Sequence, residues 1–179
     1  MKPIPLAPSG EGVSRQAAAP VFERVGIVGL GPAGRALGLA IRRTWPSALV
    51  VGVDANDALE RAMREHAIDV GGADLMMLNG VDLIVLGGRA EDSAATLEAL
   101  EEASLGPAVV TATCGESPAL VDAARRLPAR FTFVAGLSAA DGVWRLQEVP
   151  SDLRTETTER LRAFVAALGA QPPAGAQSG

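Results

Sequence analysis

The chain has 179 residues, 48% of them hydrophobic and 21% charged, with a formal net charge of -5. That is globular composition and enough length for one domain with its own core, so a disordered chain or a disulfide miniprotein is excluded. The negative charge leaves no surplus to neutralise a nucleic-acid backbone or an anionic membrane surface, and no apolar run approaches the roughly 18 residues of a spanning helix.

Single residues exclude further chemistry. Cys114 is the only cysteine and His66 the only histidine, which removes internal disulfides, cysteine zinc cages and most proton relays. The chain fits a reducing cytoplasm and lacks the apolar core of a signal peptide near its start. It contains no tyrosine, so the Tyr-x-x-x-Lys dyad of short-chain dehydrogenases is absent. Its one lysine, Lys2, lies in the Pro-rich start, so no Walker P-loop exists.

Residues 1–20 mix Pro, Gly, Ser and Ala without apolar period and read as a disordered tail, as do residues 171–179; residues 21–170 form the expected domain. Within it, Arg24 to Gly29 reads as a strand, Pro32 to Thr44 as a helix and Ala48 to Val53 as a strand. Ala33, Leu37, Ala40 and Ile41 share one helical stripe, leaving Arg35, Arg42 and Arg43 for solvent or anions. Asn56 or Asp57 is expected to cap a second helix ending near Glu65. Val81 to Leu86 is a continuous apolar run, the mark of a strand covered on both faces. A helix near Glu91 to Glu102, a strand from Ala108 to Ala112, a helix opened by Pro118 and ending near Leu127, and a strand from Phe131 to Val134 follow. Val143 to Val149 reads as one more strand. Ser151 or Asp152 caps a last helix carrying Leu153, Leu161, Phe164, Val165 and Leu168 on one face, Glu156 opposite Arg160, and Gly169 as its stop. Strands alternating with helices of this length predict an α/β fold, a doubly wound, mostly parallel sheet.

Gly29-Leu30-Gly31-Pro32-Ala33-Gly34 is a G-x-G-x-x-G. Twenty glycines make such spacings common, but this one closes a predicted strand and opens a predicted helix, and Asp54 ends the second strand 20 residues after Gly34. Gly29 permits the tight turn, Gly31 leaves room for a pyrophosphate and Gly34 lets the helix pack against the sheet. Pro32 gives up an amide with no helical partner, and the remaining first-turn amides with the positive helix end favour phosphate. Asp54 can accept both hydroxyls of an adenosine ribose and would repel a 2′-phosphate, which favours NAD over NADP. An S-adenosylmethionine site and a vestigial loop are the other readings of the same pattern. Gly87, Gly88 and Arg89, after the fourth strand, are further candidates for cofactor contact, and Arg89 could hold an anionic substrate.

From Val25 to about Ala170 the sequence resembles the N-terminal cofactor domain of the prephenate and arogenate dehydrogenases, a Rossmann NAD(P)-binding fold. The stretches carrying the likeness are VGIVGLGPAG, VVGVDAN, DALERAMREHAIDVGGADL, VDLIVLGG, PAVVTATCGESPALVDAARRL and FTFVAGLSAADG. Members of that family oxidise prephenate or arogenate with NAD(P), releasing carbon dioxide on the way to tyrosine. The resemblance implies cofactor contacts at Gly29, Gly31, Gly34 and Asp54. It does not carry over catalysis: Leu137, Ser138 and Ala139 stand where the family has His-Pro-Met, and the family's lysine is absent from TATCGES, which leaves Cys114, Gly115, Glu116 and Ser117. A helical second domain is expected to be missing, since the chain ends shortly after Gly169. The expected activity is therefore either a prephenate dehydrogenase-like oxidoreductase working with a separately encoded partner, or a non-catalytic NAD-sensing or partner-regulating module. The apolar stripe of the last helix adds the expectation of a homodimer or a partner chain. His66 reads as an exposed helix end, Cys114 as an inert thiol, and Asp141 with Arg145 as a surface pair.

Overall fold

The computed structural model describes residues 18–115, 117–134, 136–140, 143–146 and 154–169. Six parallel strands form one sheet: β1 (Arg24–Val28), β2 (Leu49–Val53), β3 (Val70–Gly72), β4 (Leu83–Leu86), β5 (Ala108–Ala112) and β6 (Phe131–Val134). Their spatial order is β3-β2-β1-β4-β5-β6, which reverses direction between β1 and β4. In a doubly wound sheet that reversal opens a crevice at the carboxyl ends of the strands, and Gly29 and Gly87 follow directly on those two strands. Every residue of β4 and β5 is buried, as continuous apolar runs in a sheet covered on both faces require.

One face is covered by α1 (Pro32–Thr44), α2 (Asn56–Arg64) and α5 (Thr155–Gly169), with Leu37, Ile41, Leu59 and Phe164 packed over Ile27, Val50 and Val85. The other is covered by α3 (Ala90–Glu102) and α4 (Pro118–Arg126), with Leu97, Leu100 and Leu120 over Ile84, Val110 and Ala112. This is the α/β Rossmann architecture that the alternation of elements predicts.

The stripe of the last helix is internal. Phe164 packs edge-on to Phe22, with ring centroids 5.4 Å apart, and stacks on Trp45 at the same separation. Leu161, Phe164 and Leu168 are 3% exposed or less, so the chain covers them itself and the stripe gives no reason of its own for a second chain. Arg160 does not pair with Glu156. Its guanidinium lies 4.5 Å from the Phe22 ring centroid and donates to the Val21 carbonyl at 3.2 Å.

Four other expectations differ from the structure. Val143–Leu146 (β8) is not a strand of the main sheet; it pairs antiparallel with Leu137–Ala140 (β7) in a separate hairpin. In β8, Trp144 is buried while Val143 and Arg145 are exposed, an alternation suited to a half-covered hairpin. Secondly, β3 and the 3-10 turn Leu75–Leu78 occupy a stretch for which the sequence suggests no element, because Gly71 and Gly72 mask the strand signal. Thirdly, α2 is capped at Ala55, with neither Asn56 nor Asp57 as the cap. Fourthly, Arg35 and Arg42 are not left to solvent: Arg35 pairs with Glu65 and Arg42 with Asp69. Expectations for residues 1–17 and 170–179, for Ser151, Asp152 and Leu153, for strand continuation to Val149 and for Asp141 lie outside the described residues.

Removing the Phe164 ring takes away the contact that both Phe22 and Trp45 use. Phe164→Ala is expected to lower unfolding stability by about 3–5 kcal/mol, read from urea titration. A loss under about 1 kcal/mol would contradict the packing of α5 on this face.

Candidate functional site

The turn from β1 into α1 is built around one carbonyl. Gly29 has φ +89°, a conformation that L side chains rarely adopt. A Cβ on Gly29 would also meet the Gly87 carbonyl oxygen at 2.6 Å. In return the Gly29 carbonyl oxygen occupies the space that a Cβ on Gly34 would need, and lies 2.6 Å from where a Cβ on Gly87 would stand. Gly29, Gly34 and Gly87 are therefore glycines because the two strand ends and the helix meet backbone to backbone. Gly31 differs. A Cβ there would have nothing within 4 Å, so its space is open to a ligand.

The first turn of α1 has Gly31 as N-cap with no side-chain cap, and Pro32 follows it. Gly31, Pro32 and Ala33 are exposed. Backbone donors at a helix start with no side chain serving them, together with the positive end of the helix, form a cradle for phosphate oxygens. The residues fit a pyrophosphate on this count.

Leu30 plays another part. Its side chain is 1% exposed within the core. Its N–H donates to Asp54 Oδ2 at 2.7 Å, and its carbonyl accepts from Arg35 Nη1 at 2.9 Å. It anchors the loop.

Asp54 sits at the end of β2, half-buried, where the spacing places an acid. Its Oδ1 accepts from the Ala55 N–H at 2.7 Å. Each carboxylate oxygen thus makes one bond to the chain and keeps lone-pair capacity for hydroxyl donors. The carboxylate is tied to the glycine loop through Leu30 before any ribose arrives.

Beyond β4, Gly87 donates to the Val28 carbonyl at 2.6 Å, and Gly88 turns the chain with φ +102°. Arg89 is the N-cap of α3; its side chain is 80% exposed and lies 3.2 Å from Asp92. The hydrogen bond and charge of Asp92 raise its pKa, so the guanidinium stays charged. An arginine so exposed, paired only over one helical turn, can swing to an anion at small cost.

The other candidates sit on other elements of the fold. Cys114 Sγ is 3.6 Å from the Ser93 hydroxyl, beyond β5, and Ser117 Oγ caps α4 by accepting from Leu120 N–H at 3.2 Å. A groove of about 420 Å³ runs along α4, lined by Ser117, Pro118, Val121, Asp122 and Arg125. Glu116 lies outside the described residues. His66 is exposed with φ 61° and closes the end of α2: its N–H bonds the Met63 carbonyl at 3.0 Å and the next N–H, of Ala67, the Ala62 carbonyl at 2.8 Å. Leu137 is 2% exposed in the core. No group of three or more His, Cys, Asp or Glu residues suited to a metal ion occurs among the described residues, and no helix there is long and apolar enough to cross a membrane. Sequence reasoning missed Arg35 and Glu65, which join the loop to the end of α2. Their meeting across 30 residues leaves no sequence signal.

No family model and no curated protein matches this sequence. Solved structures do match in fold. The prephenate dehydrogenase of A. aeolicus, solved with hydroxyphenyl propionate and NAD+, superposes with TM-score 0.68 at 18% identity, over 82% of this chain and 57% of that one. The arogenate dehydrogenase of Synechocystis gives TM-score 0.67 at 23% identity, over 83% and 58%. A 3-hydroxyacyl-CoA dehydrogenase of Archaeoglobus fulgidus gives 0.61 at 20%, over 83% and 55%. The chain thus spans less than two thirds of each of these structures. At these identities the shared property is the fold, an α/β Rossmann-type architecture.

The glycines divide into two kinds, and substitution separates them. Gly29→Ala and Gly34→Ala are expected to lose roughly 1–3 kcal/mol or more of stability, whereas Gly31→Ala, with φ -64° and open space, is expected to stay within about 1 kcal/mol of the parent. Equal losses at all three positions in thermal or urea unfolding would contradict this geometry.

Proposed function

We propose that this chain is a NAD-binding Rossmann module, similar to the cofactor domain of prephenate dehydrogenase, that holds the pyrophosphate at Gly29 to Gly34 and the adenosine ribose at Asp54. The observation that carries this reading is the open, uncapped backbone at Gly31, set between glycines that the fold itself requires and one hydrogen-bonded residue from Asp54. Asp54 selects NAD over NADP: a ribose offers two hydroxyl donors to the carboxylate, whereas a 2′-phosphate brings like charge against it. Gly88 and Arg89 stand at the neighbouring strand end, where Arg89 is free to reach a phosphate or a small anionic substrate. The single cysteine suits work in the reducing cytoplasm.

Of the two activities that the likeness to prephenate and arogenate dehydrogenases offers, the non-catalytic NAD-sensing or partner-regulating module is the one we favour. The sequence resemblance puts Leu137 where that family has a histidine, and the Leu137 side chain is 2% exposed in the core. A leucine can neither accept nor donate a proton, and general base catalysis contributes about 10² to 10⁴-fold. Hydride transfer by this reading needs a base and substrate-positioning groups from outside this domain.

Two measurements test the proposal. At a concentration about a hundred times its dissociation constant, NADH is expected to stabilise the protein by about 2.7 kcal/mol and to raise the melting temperature by ~5–10 °C. NADPH at the same concentration is expected to shift it less. A larger shift with NADPH would contradict the role of Asp54; a shift with S-adenosylmethionine alone would overturn the dinucleotide reading. In the second measurement, the purified chain is mixed with NAD and prephenate or arogenate, and no NADH formation at an enzymatic rate is expected. Robust turnover that survives Leu137→Ala and falls with Arg89→Ala would place a catalytic site at the β4 end.

A further inference from the structure

We propose that Arg35 and Glu65 form a positioning pair that sets the direction of the Gly31 amide for the dinucleotide's pyrophosphate. The inference rests on the NAD-binding reading and assigns to it two residues outside the glycine motif. Leu30 is held from both sides, its N–H by Asp54 at 2.7 Å and its carbonyl by Arg35 Nη1 at 2.9 Å. Nε of the same guanidinium donates to Glu65 Oε2 at 2.8 Å. A guanidinium is planar and holds its N–H donors in a fixed fork, so fixing one bond orients the other. The Arg35 side chain is only 19% exposed, less than half the exposure of its partner's, which further restricts its rotamers.

The consequence follows from peptide geometry. No cis peptide bond occurs among the described residues, and in a trans peptide the carbonyl of one residue and the N–H of the next point in opposite directions. With the Leu30 carbonyl drawn towards Arg35, the Gly31 N–H is turned the other way. Pro32 has no N–H to offer, so that amide is a large part of what the loop presents to a phosphate. Glu65 is a firm anchor because it is the C-cap of α2, whose end is closed by the His66 and Ala67 amides. The pair therefore joins the loop that would take the pyrophosphate to the helix that follows the ribose-binding Asp54.

A guanidinium beside a phosphate site could instead act directly through its charge, and substitution of Glu65 distinguishes the two roles by sign. If Arg35 acts by charge, removing the neutralising carboxylate strengthens NAD binding; if it positions Leu30, the same change weakens binding.

The experiment is calorimetric titration of the full chain with NAD, with melting temperatures recorded in parallel. Arg35→Met is expected to weaken binding roughly tenfold, because the loop must then be ordered on binding. Arg35→Lys is expected to be similarly weak, since an ammonium lacks the planar fork. Glu65→Ala is expected to weaken binding several-fold with the melting temperature nearly unchanged, the residue being exposed and at a helix end. Glu65→Gln keeps an oxygen that accepts from Nε and is expected to bind close to the parent. Parent affinity or better in Glu65→Ala, or parent affinity in Arg35→Lys, overturns the positioning role while leaving the NAD-binding reading intact. Failure of the parent chain to bind NAD removes both. Glu65→Ala tests the proposal even if the Arg35 variants do not fold.

Discussion

The carbonyl of Gly29 is the constraint on which the candidate site depends. It lies where a Cβ of Gly34 would be and 2.6 Å from where a Cβ of Gly87 would be, so the start of α1 and the end of β4 approach to backbone contact around one oxygen. That approach fixes how far α1 projects beyond the sheet. It also places the uncapped amides of the first turn over the crevice where strand order reverses. A side chain at either flanking position would push the helix away, and the phosphate cradle with it. Of Gly29, Gly31 and Gly34, only Gly31 has empty space where a Cβ would stand, and its small size serves the ligand more than the fold.

Around that centre the polar groups link neighbouring parts of the backbone. Asp54 ties the end of β2 to Leu30, and Arg35 ties Leu30 to the end of α2. Asp69 bonds the Val50 N–H at 2.8 Å and pairs with Arg42 on α1. Each carboxylate joins an element to its neighbour in space, and the loops above the sheet are held in place before a ligand binds. Preorganisation of this kind reduces the ordering cost that a flexible loop would impose on binding.

Much of this was legible in the sequence because it depends on local pattern. The ranges Pro32–Thr44, Ala108–Ala112 and Phe131–Val134 agree with the structure to the residue, since a proline at the helix start, short runs that are apolar but for Thr111 and Thr132, and flanking turn residues leave little choice. The glycine turn and Asp54 were likewise readable from spacing. What was not legible is long-range or weakly marked. Strand β3 hides behind two glycines whose value is space for Leu59 and Met77. The hairpin β7–β8 depends on pairing between two short segments, and no local signal says whether such a strand joins the main sheet or leaves it. The links from Arg35 to Glu65 and from Arg42 to Asp69 join residues far apart in the chain, and an arginine on a helix face reads as solvated until its partner is known.

The most direct test of the account is a nuclear magnetic resonance titration of isotope-labelled protein with NAD, following backbone amide signals residue by residue. The account predicts that the amides of Gly31, Ala33 and Ala55 move most and saturate together, with smaller changes at Gly88 and Arg89. Largest changes along the groove of Ser117, Val121 and Arg125, or no saturable change at the glycine loop, would contradict it.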